Sequence, residues 1–143
     1  VQPGFPEYQT NSWQADLDVN SVQGTQQVPA TVTVPAGMQA TLGLASGNLG
    51  MAWDLGSGAA PLIPTSAGAL LSSDGQIVNL DVTDPTLSTW FNFLQGPTWG
   101  PVTSLSIPFS LPSAISISAQ MIVVSPALLS GVALSQPVRL IVQ

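Results

Sequence analysis

Carboxylates are the side chains in this sequence best suited to acid–base chemistry. The 143 residues include one cation, Arg139, and no lysine, histidine or cysteine. Without these types, Ser–His–Asp and Cys–His triads, Ser–Lys dyads and Schiff bases cannot be built. Paired carboxylates can hydrolyse glycosides or peptides, and two pairs are close in sequence, Asp16 with Asp18 and Asp81 with Asp84. Because neither pair comes with further titratable groups, we predict no enzymatic activity and no catalytic residue.

Calcium is the cofactor that these oxygen ligands would suit. It binds carboxylate, amide and carbonyl oxygens, and Asn79, Asp81 and Asp84 supply three such side chains in one short segment. Zinc, copper and haem would lack their usual histidine and cysteine ligands. The competing interpretation is local, since aspartate often forms turns and Asp84 precedes a proline as a helix N-cap would. We therefore expect no cofactor, with structural calcium at these three residues as the alternative.

The composition excludes several classes of protein. Only 6% of the residues are charged, the net charge is −6, and 45% are apolar with a mean hydropathy of +0.39. Such a chain can bury a core, yet its longest apolar run, residues 121–124, is too short for a membrane span. A single arginine cannot neutralise nucleic-acid phosphates. We expect neither membrane insertion nor nucleic-acid binding, and we expect a secreted protein, since the chain is poor in ions and starts at Val1 without methionine.

Alternating apolar and polar residues, the period of half-buried strands, dominate the chain. Thirteen glycines and thirteen prolines punctuate these runs. The pattern predicts one all-β domain over residues 11–143, a single antiparallel β-sandwich, Ig-like or jelly-roll-like, with eight to ten strands. Trp13 and Trp53 are in phase with the inward residues of their strands, which predicts core positions for both. Pro108 lies within a run at 107–111, which predicts an edge or irregular strand.

At most one short helix is expected in this sandwich. Asp84 followed by Pro85 predicts a helix start, with a turn or two through residues 86–93. Residues 126–129 are the other candidate, for a single 3₁₀ turn. Arg139, on the last predicted strand, is expected to form an ion pair with a cross-strand aspartate.

Residues 1–10 differ from the rest and predict an extended N-terminal arm. Its prolines rule out a central strand, and its two aromatic residues need a groove, either on the same domain, which is favoured, or on a neighbouring subunit. A second aromatic group between residues 90 and 99 is expected to cap the sandwich and to expose part of itself as a contact patch. The predicted interface residues are Phe5, Tyr8, Trp90, Phe91, Phe93 and Trp99.

The last third of the chain resembles a known kind of segment. Its motifs are Ile117-Ser118-Ala119-Gln120-Met121, Ser125-Pro126 and Gly131-Val132-Ala133-Leu134-Ser135, followed by Arg139-Leu140. Residues 102–143 are similar to the segment that closes many secreted proteins of environmental bacteria, although position 125 is Ser where Asp is common. The resemblance implies an exported β-sandwich and supplies neither an activity nor a catalytic residue.

A surface with so few ions is cheap to dehydrate, because hydroxyls and amides cost less to remove from water than charges do. Edge strands also lack the lysines that commonly protect them. We therefore predict a secreted structural subunit that associates with copies of itself into a filament or surface assembly, through uncharged faces, strand addition or the N-terminal arm. The alternatives are a module that binds glycan or another surface polymer through Trp90 or Trp99, and an accessory domain of a larger secreted protein.

Overall fold

A computed structural model describes residues 6–47, 53–89 and 104–143 of the chain. These residues form eleven strands: β1 (Asp16–Val19), β2 (Ala30–Val34), β3 (Gln39–Ala45), β4 (Trp53–Gly58), β5 (Leu70–Leu71), β6 (Ile77–Val78), β7 (Ser88–Thr89), β8 (Ser104–Ser110), β9 (Ile115–Val124), β10 (Val132–Leu134) and β11 (Val138–Val142). In β2 and β3 apolar and polar residues alternate, so that one side of each strand is buried, whereas β9 buries residues on both of its faces.

The strands form two main sheets. The smaller has the order β1-β3-β8, and the larger has the order β2-β11-β9-β4-β7, with β10 continuing the line of β11 beside β9. The prediction of an all-β sandwich is confirmed. Most neighbours are antiparallel, but β2 and β11 run parallel, paired from Ala30 with Val138 to Val34 with Val142.

The core lies between the two sheets. Leu17, Leu42 and Leu44 of the smaller sheet and Leu55 and Met121 of the larger belong to one buried cluster. These are the inward members of their alternating runs, and burying each one contributes roughly 1.5 to 3 kcal/mol relative to leaving it exposed. The hydrophobic pattern therefore fixes which face of each strand turns inward.

A further layer covers part of the outer face of the larger sheet. Gln120 lies on that face opposite Gly56, and its amide bonds the main chain at Ile77 and Asn79. Gly56 matters here because a Cβ atom at this position would lie 3.1 Å from the Leu80 side chain. The segment between β4 and β7 thus packs on the sheet, which explains why several polar residues of β9 are buried.

Helical structure is sparse. The described residues contain one 3₁₀ turn, Thr65–Ala67, and none of their helices is long and apolar enough to cross a membrane. The helix predicted from residue 86 is wrong where it can be judged, because Ser88–Thr89 form β7 and pair with β4. Asp84 instead makes a turn, accepting from the Thr86 N–H at 2.8 Å. Residues 126–129 form hydrogen-bonded turns rather than a 3₁₀ helix.

Candidate interaction surface

The residues predicted to bind calcium are already hydrogen-bonded to the protein. Asn79 is fully buried; its amide nitrogen donates to the carbonyls of Glu7 (3.0 Å) and Ile63 (2.7 Å), and its oxygen accepts from the Gln9 N–H (3.0 Å). Asp81 accepts from the N–H and hydroxyl of Thr83. In the part of the chain that the structure describes, no three acidic, histidine or cysteine residues converge as a metal site would require. Calcium stays a prediction.

Asp84 ties two turns together. Its carboxylate accepts from the Ala60 N–H at 3.0 Å and from the N–H and hydroxyl of Thr86. The bond from Ala60, followed by those from Thr86, lowers the pKa of Asp84. These hydrogen bonds therefore favour the ionised form of the carboxylate.

Asp16 and Asp18 share the outer face of β1, as predicted, but their environments differ. Asp18 accepts from the Ser21 N–H at 3.2 Å. Asp16 is half-buried, and within the described residues its Oδ1 atom is buried without a hydrogen-bond partner. Burial, and then the charge of Asp18, raise the pKa of Asp16.

Arg139 does not face an aspartate across the sheet. Its cross-strand neighbours are Thr31 on β2 and Ser118 on β9, so the predicted cross-strand ion pair is wrong. The guanidinium donates to the carbonyls of Ala59 (3.2 Å) and Ala60 (3.0 Å) and to the Ser118 hydroxyl (2.7 Å). The only cation of the chain thereby anchors the covering segment to the sheet.

The described part of the N-terminal arm, residues 6–10, packs on its own domain. The N–H groups of Glu7 and Tyr8 donate to Gln26 O, and the Glu7 carboxylate accepts from the Ser66 N–H at 2.8 Å. The Asn79 side chain donates to Glu7 O of the arm, and the half-buried Tyr8 lies within the same docked stretch. Residues 6–10 thus occupy a groove in cis, and Phe5 lies outside the described residues.

The tryptophans divide into three groups. Trp53 is 3% exposed in the core, as predicted. The core position predicted for Trp13 is wrong, because its side chain is 70% exposed and residues 13 and 14 form a turn between the bridged Ser12 and Ala15. Its ring lies over Gly47, where a Cβ atom would collide with it. Trp90 and Trp99, with Phe91 and Phe93, lie outside the described residues.

Strand edges are the other candidate surface, and two of them are closed by side-chain amides. At β1, the Leu17 N–H donates to Asn11 (3.0 Å), and Leu17 O accepts from Asn11 (3.0 Å) and Gln136 (2.7 Å). At β10, Gln76 accepts from the Leu134 N–H and donates to Val132 O, both at 2.7 Å. These amides satisfy the groups that another strand would use.

The edge of β8 is interrupted by a proline, as the sequence predicted for an edge strand. The main chain of Thr41 faces away from β8, because its N–H and C=O bond the Asn20 side chain and N–H, both at 2.9 Å. Since Thr41 is paired with Pro108, the main chain of Pro108 faces the free edge, where its missing N–H removes a donor. The end strand β7 has only two residues.

The edge of β2 is the open one. Val34 O accepts from the Gln143 N–H at 3.0 Å, so Val34, and by the two-residue period Val32 and Ala30, turn their main-chain groups toward β11. Thr31 and Thr33 turn theirs outward, and among the described strands none pairs with β2 on that side. The strand contains no charged residue and no proline. Pro29 and Pro35 flank it directly at its two ends. Sequence reasoning did not single out this edge, although the two flanking prolines were its signal.

Comparison of the chain with protein-family models, curated proteins and solved structures gives no match. The resemblance of residues 102–143 to a segment of secreted bacterial proteins stays a prediction.

Proposed function

We propose that this protein is a structural subunit of an extracellular or cell-surface assembly and has no catalytic role. It associates with copies of itself through uncharged strand edges and faces. The observation that carries the proposal is the open edge of β2, where no described strand pairs with the outward N–H and C=O groups of the exposed Thr31 and Thr33. Monomeric proteins usually protect such an edge with charge, proline or a covering segment; among the described strands, side-chain amides cover the edges of β1 and β10, and a proline interrupts that of β8.

Charge supports the same proposal. The strand β2 and its neighbour β11 carry one charged side chain between them, and that one, Arg139, is bonded to the domain itself. Copies that approach along β2 therefore bring no like charges together at the contact. The net charge of −6 is weakly felt beyond about 8 Å at physiological salt.

The proposal is tested by light scattering over a concentration series, followed by negative-stain microscopy of the purified chain. We expect the mean mass to rise with concentration and regular particles larger than one subunit to appear. Particles of monomer mass at every concentration would contradict the proposal. Deleting residues 1–10 is a useful comparison, because an arm that docks in cis should affect stability more than assembly.

Glycan binding is the second candidate, and the exposed ring of Trp13 favours it. One face of the ring rests on Gly47, the side chain is 70% exposed, and the adjacent Ser12 and Gln14 are polar and uncharged. An aromatic face beside uncharged hydrogen-bonding groups suits the stacking of a sugar ring. Affinity electrophoresis in gels containing soluble β-glucan tests it: Trp13→Ala should abolish any retardation, Trp13→Phe should keep part, and Val28→Ala, another exposed apolar site, should change nothing.

A further inference from the structure

We infer that the partner at the open edge is β2 of a second copy, paired antiparallel about a two-fold axis through Val32. This inference rests on the proposed function, because it names the surface and the partner through which the subunit associates. It joins the larger sheets of two subunits into one continuous sheet. Such an isologous contact uses the same five residues, Ala30–Val34, on both sides.

The direction of the main-chain groups selects this arrangement. Only Thr31 and Thr33 of β2 point their N–H and C=O groups away from β11. In an antiparallel pair, residues that face each other through hydrogen bonds exchange two bonds. When the two-fold axis passes through Val32, Thr31 of one copy faces Thr33 of the other. By symmetry, Thr33 of the first copy faces Thr31 of the second. All four outward groups on each copy are then satisfied, by four hydrogen bonds across the interface.

The flanking prolines exclude the neighbouring registers. If the axis passed through Thr31, Thr33 would face Pro29, and if it passed through Thr33, Thr31 would face Pro35. Proline has no N–H to donate, so each of those registers loses bonds. With the axis at Val32, Pro29 faces Pro35 of the other copy, and the prolines bound the paired segment at both ends.

The side chains agree with the same register. Thr31 and Thr33 are exposed on the outer face of β2, whereas Ala30, Val32 and Val34 are buried on the inner face. The pairing therefore places threonine beside threonine on the outer face, a favourable cross-strand pair. It brings Val32 beside Val32 of the other copy on the inner face. No charged group is desolvated in this contact.

Cysteine cross-linking tests the register directly, since the chain has no cysteine of its own. We expect Thr31→Cys mixed with Thr33→Cys, one of them tagged to differ in mass, to form a disulfide heterodimer under mild oxidation. Hydrogen-bonded antiparallel partners have Cα atoms about 5.5 Å apart, which a disulfide spans. Each variant alone should stay largely uncross-linked, because residues at the same position lie diagonally, about 7 to 8 Å apart. Both threonines are exposed, so we expect the fold to tolerate cysteine.

Thr33→Pro supplies a second measurement. It removes the outward donor of residue 33 without touching the bonds to β11, and we expect the dissociation constant to rise roughly ten- to a hundred-fold as two of the four bonds are lost. Thr33→Val keeps the donor and should leave the constant near that of the parent. If the parent associates but the cysteine mixture cross-links no better than either variant alone, the β2 pairing is overturned and the proposed function stands. A parent that is monomeric overturns both.

Discussion

At the level of single residues, neutral amides do what ion pairs do in many proteins. Gln120 is 4% exposed and joins three segments, accepting from the Asn79 N–H and donating to the carbonyls of Ile77 and Ser135, at 2.9 to 3.0 Å. Gln136, 2% exposed, connects Gly24 with Leu17 and Val22 in the same way. A buried amide with all its partners costs far less to dehydrate than a buried charge. The fold therefore needs few ions.

Asn79→Leu tests how much such an amide contributes. The substitution leaves Ile63 O and the Gln9 N–H without a partner, and Glu7 O keeps only the bond from the Thr65 N–H. We expect the free energy of unfolding to fall by about 2 to 4 kcal/mol, because buried polar groups that lose a hydrogen bond are costly. Urea unfolding measures it, with the exposed Gln39→Leu as the control that should change little. An equal, small effect of both substitutions would contradict this account.

Asp16 is the exception among these residues, and its carboxylate should destabilise the fold at neutral pH. Burial raises its pKa in the folded state, so the folded chain binds the proton more tightly than the unfolded chain does. Stability from this group is then present below the ordinary pKa of 3.8 and is lost as the pH rises through the raised value.

Asp16→Asn should therefore raise the melting temperature at pH 7 and have little effect near pH 3, where both states are protonated. Asp18→Asn should raise it less, because the charge of Asp18 is the smaller cause of the shift. Thermal melts of the three proteins at both pH values measure this difference. A lower melting temperature of Asp16→Asn at pH 7 would show that the carboxylate has a stabilising partner.

At the level of strands, the edges differ in what covers their main-chain groups, and each difference comes from particular residues of the sequence. Asn11 and Gln136 close β1, Gln76 closes β10, and Pro108 interrupts the edge of β8. Among the longer edges of the described strands, that of β2 has outward donors and acceptors that neither a proline nor a bonded side-chain amide interrupts. Edge protection is selective here, so the open strand is distinguished from the closed ones by chemistry rather than by length alone.

Pro108→Val should open a second edge. It restores the missing N–H between Ser106 and Ser110 and replaces proline with a strong strand former, and the altered group faces away from β3. We expect larger species to form, read by light scattering and thioflavin T fluorescence. Ser106→Val, which leaves Pro108 in place, is the control and should assemble as the parent does. Unchanged assembly of Pro108→Val would show that proline is not what protects the edge of β8.

The sequence predicted the strands well where alternation is long and less well where turns interrupt it. Alternation gave the inward residues of β2 and β3, whereas in β9 Ile115 is 45% exposed and the polar Ser118 and Gln120 are buried. Trp13 was assigned to the core because it is in phase with it, yet it is 70% exposed, since a turn precedes β1 and breaks the phase. The parallel pairing of β2 with β11 was not predicted, because strand order depends on contacts distant in sequence. The side-chain amides that bond the edges of β1 and β10 were not predicted for the same reason.

At the level of the whole molecule, the described exterior belongs to a sandwich with few ions, and its β2 edge has no interrupting proline or covering amide. An interface built from threonine and main-chain groups should not depend on ionic attraction. Raising salt should therefore leave the association intact, whereas an interface held by ion pairs would weaken as charges are screened.

Sedimentation equilibrium of the unmodified chain at about 0.1 M and 1 M salt is the most direct test of self-association through an uncharged edge. We predict a mass at least twice the 14.7 kDa of one chain, with dissociation constants at the two salt concentrations that agree within a few-fold. A mass of one chain at every loading concentration would contradict self-association. A complex that dissociates as salt rises would contradict the uncharged edge as its cause.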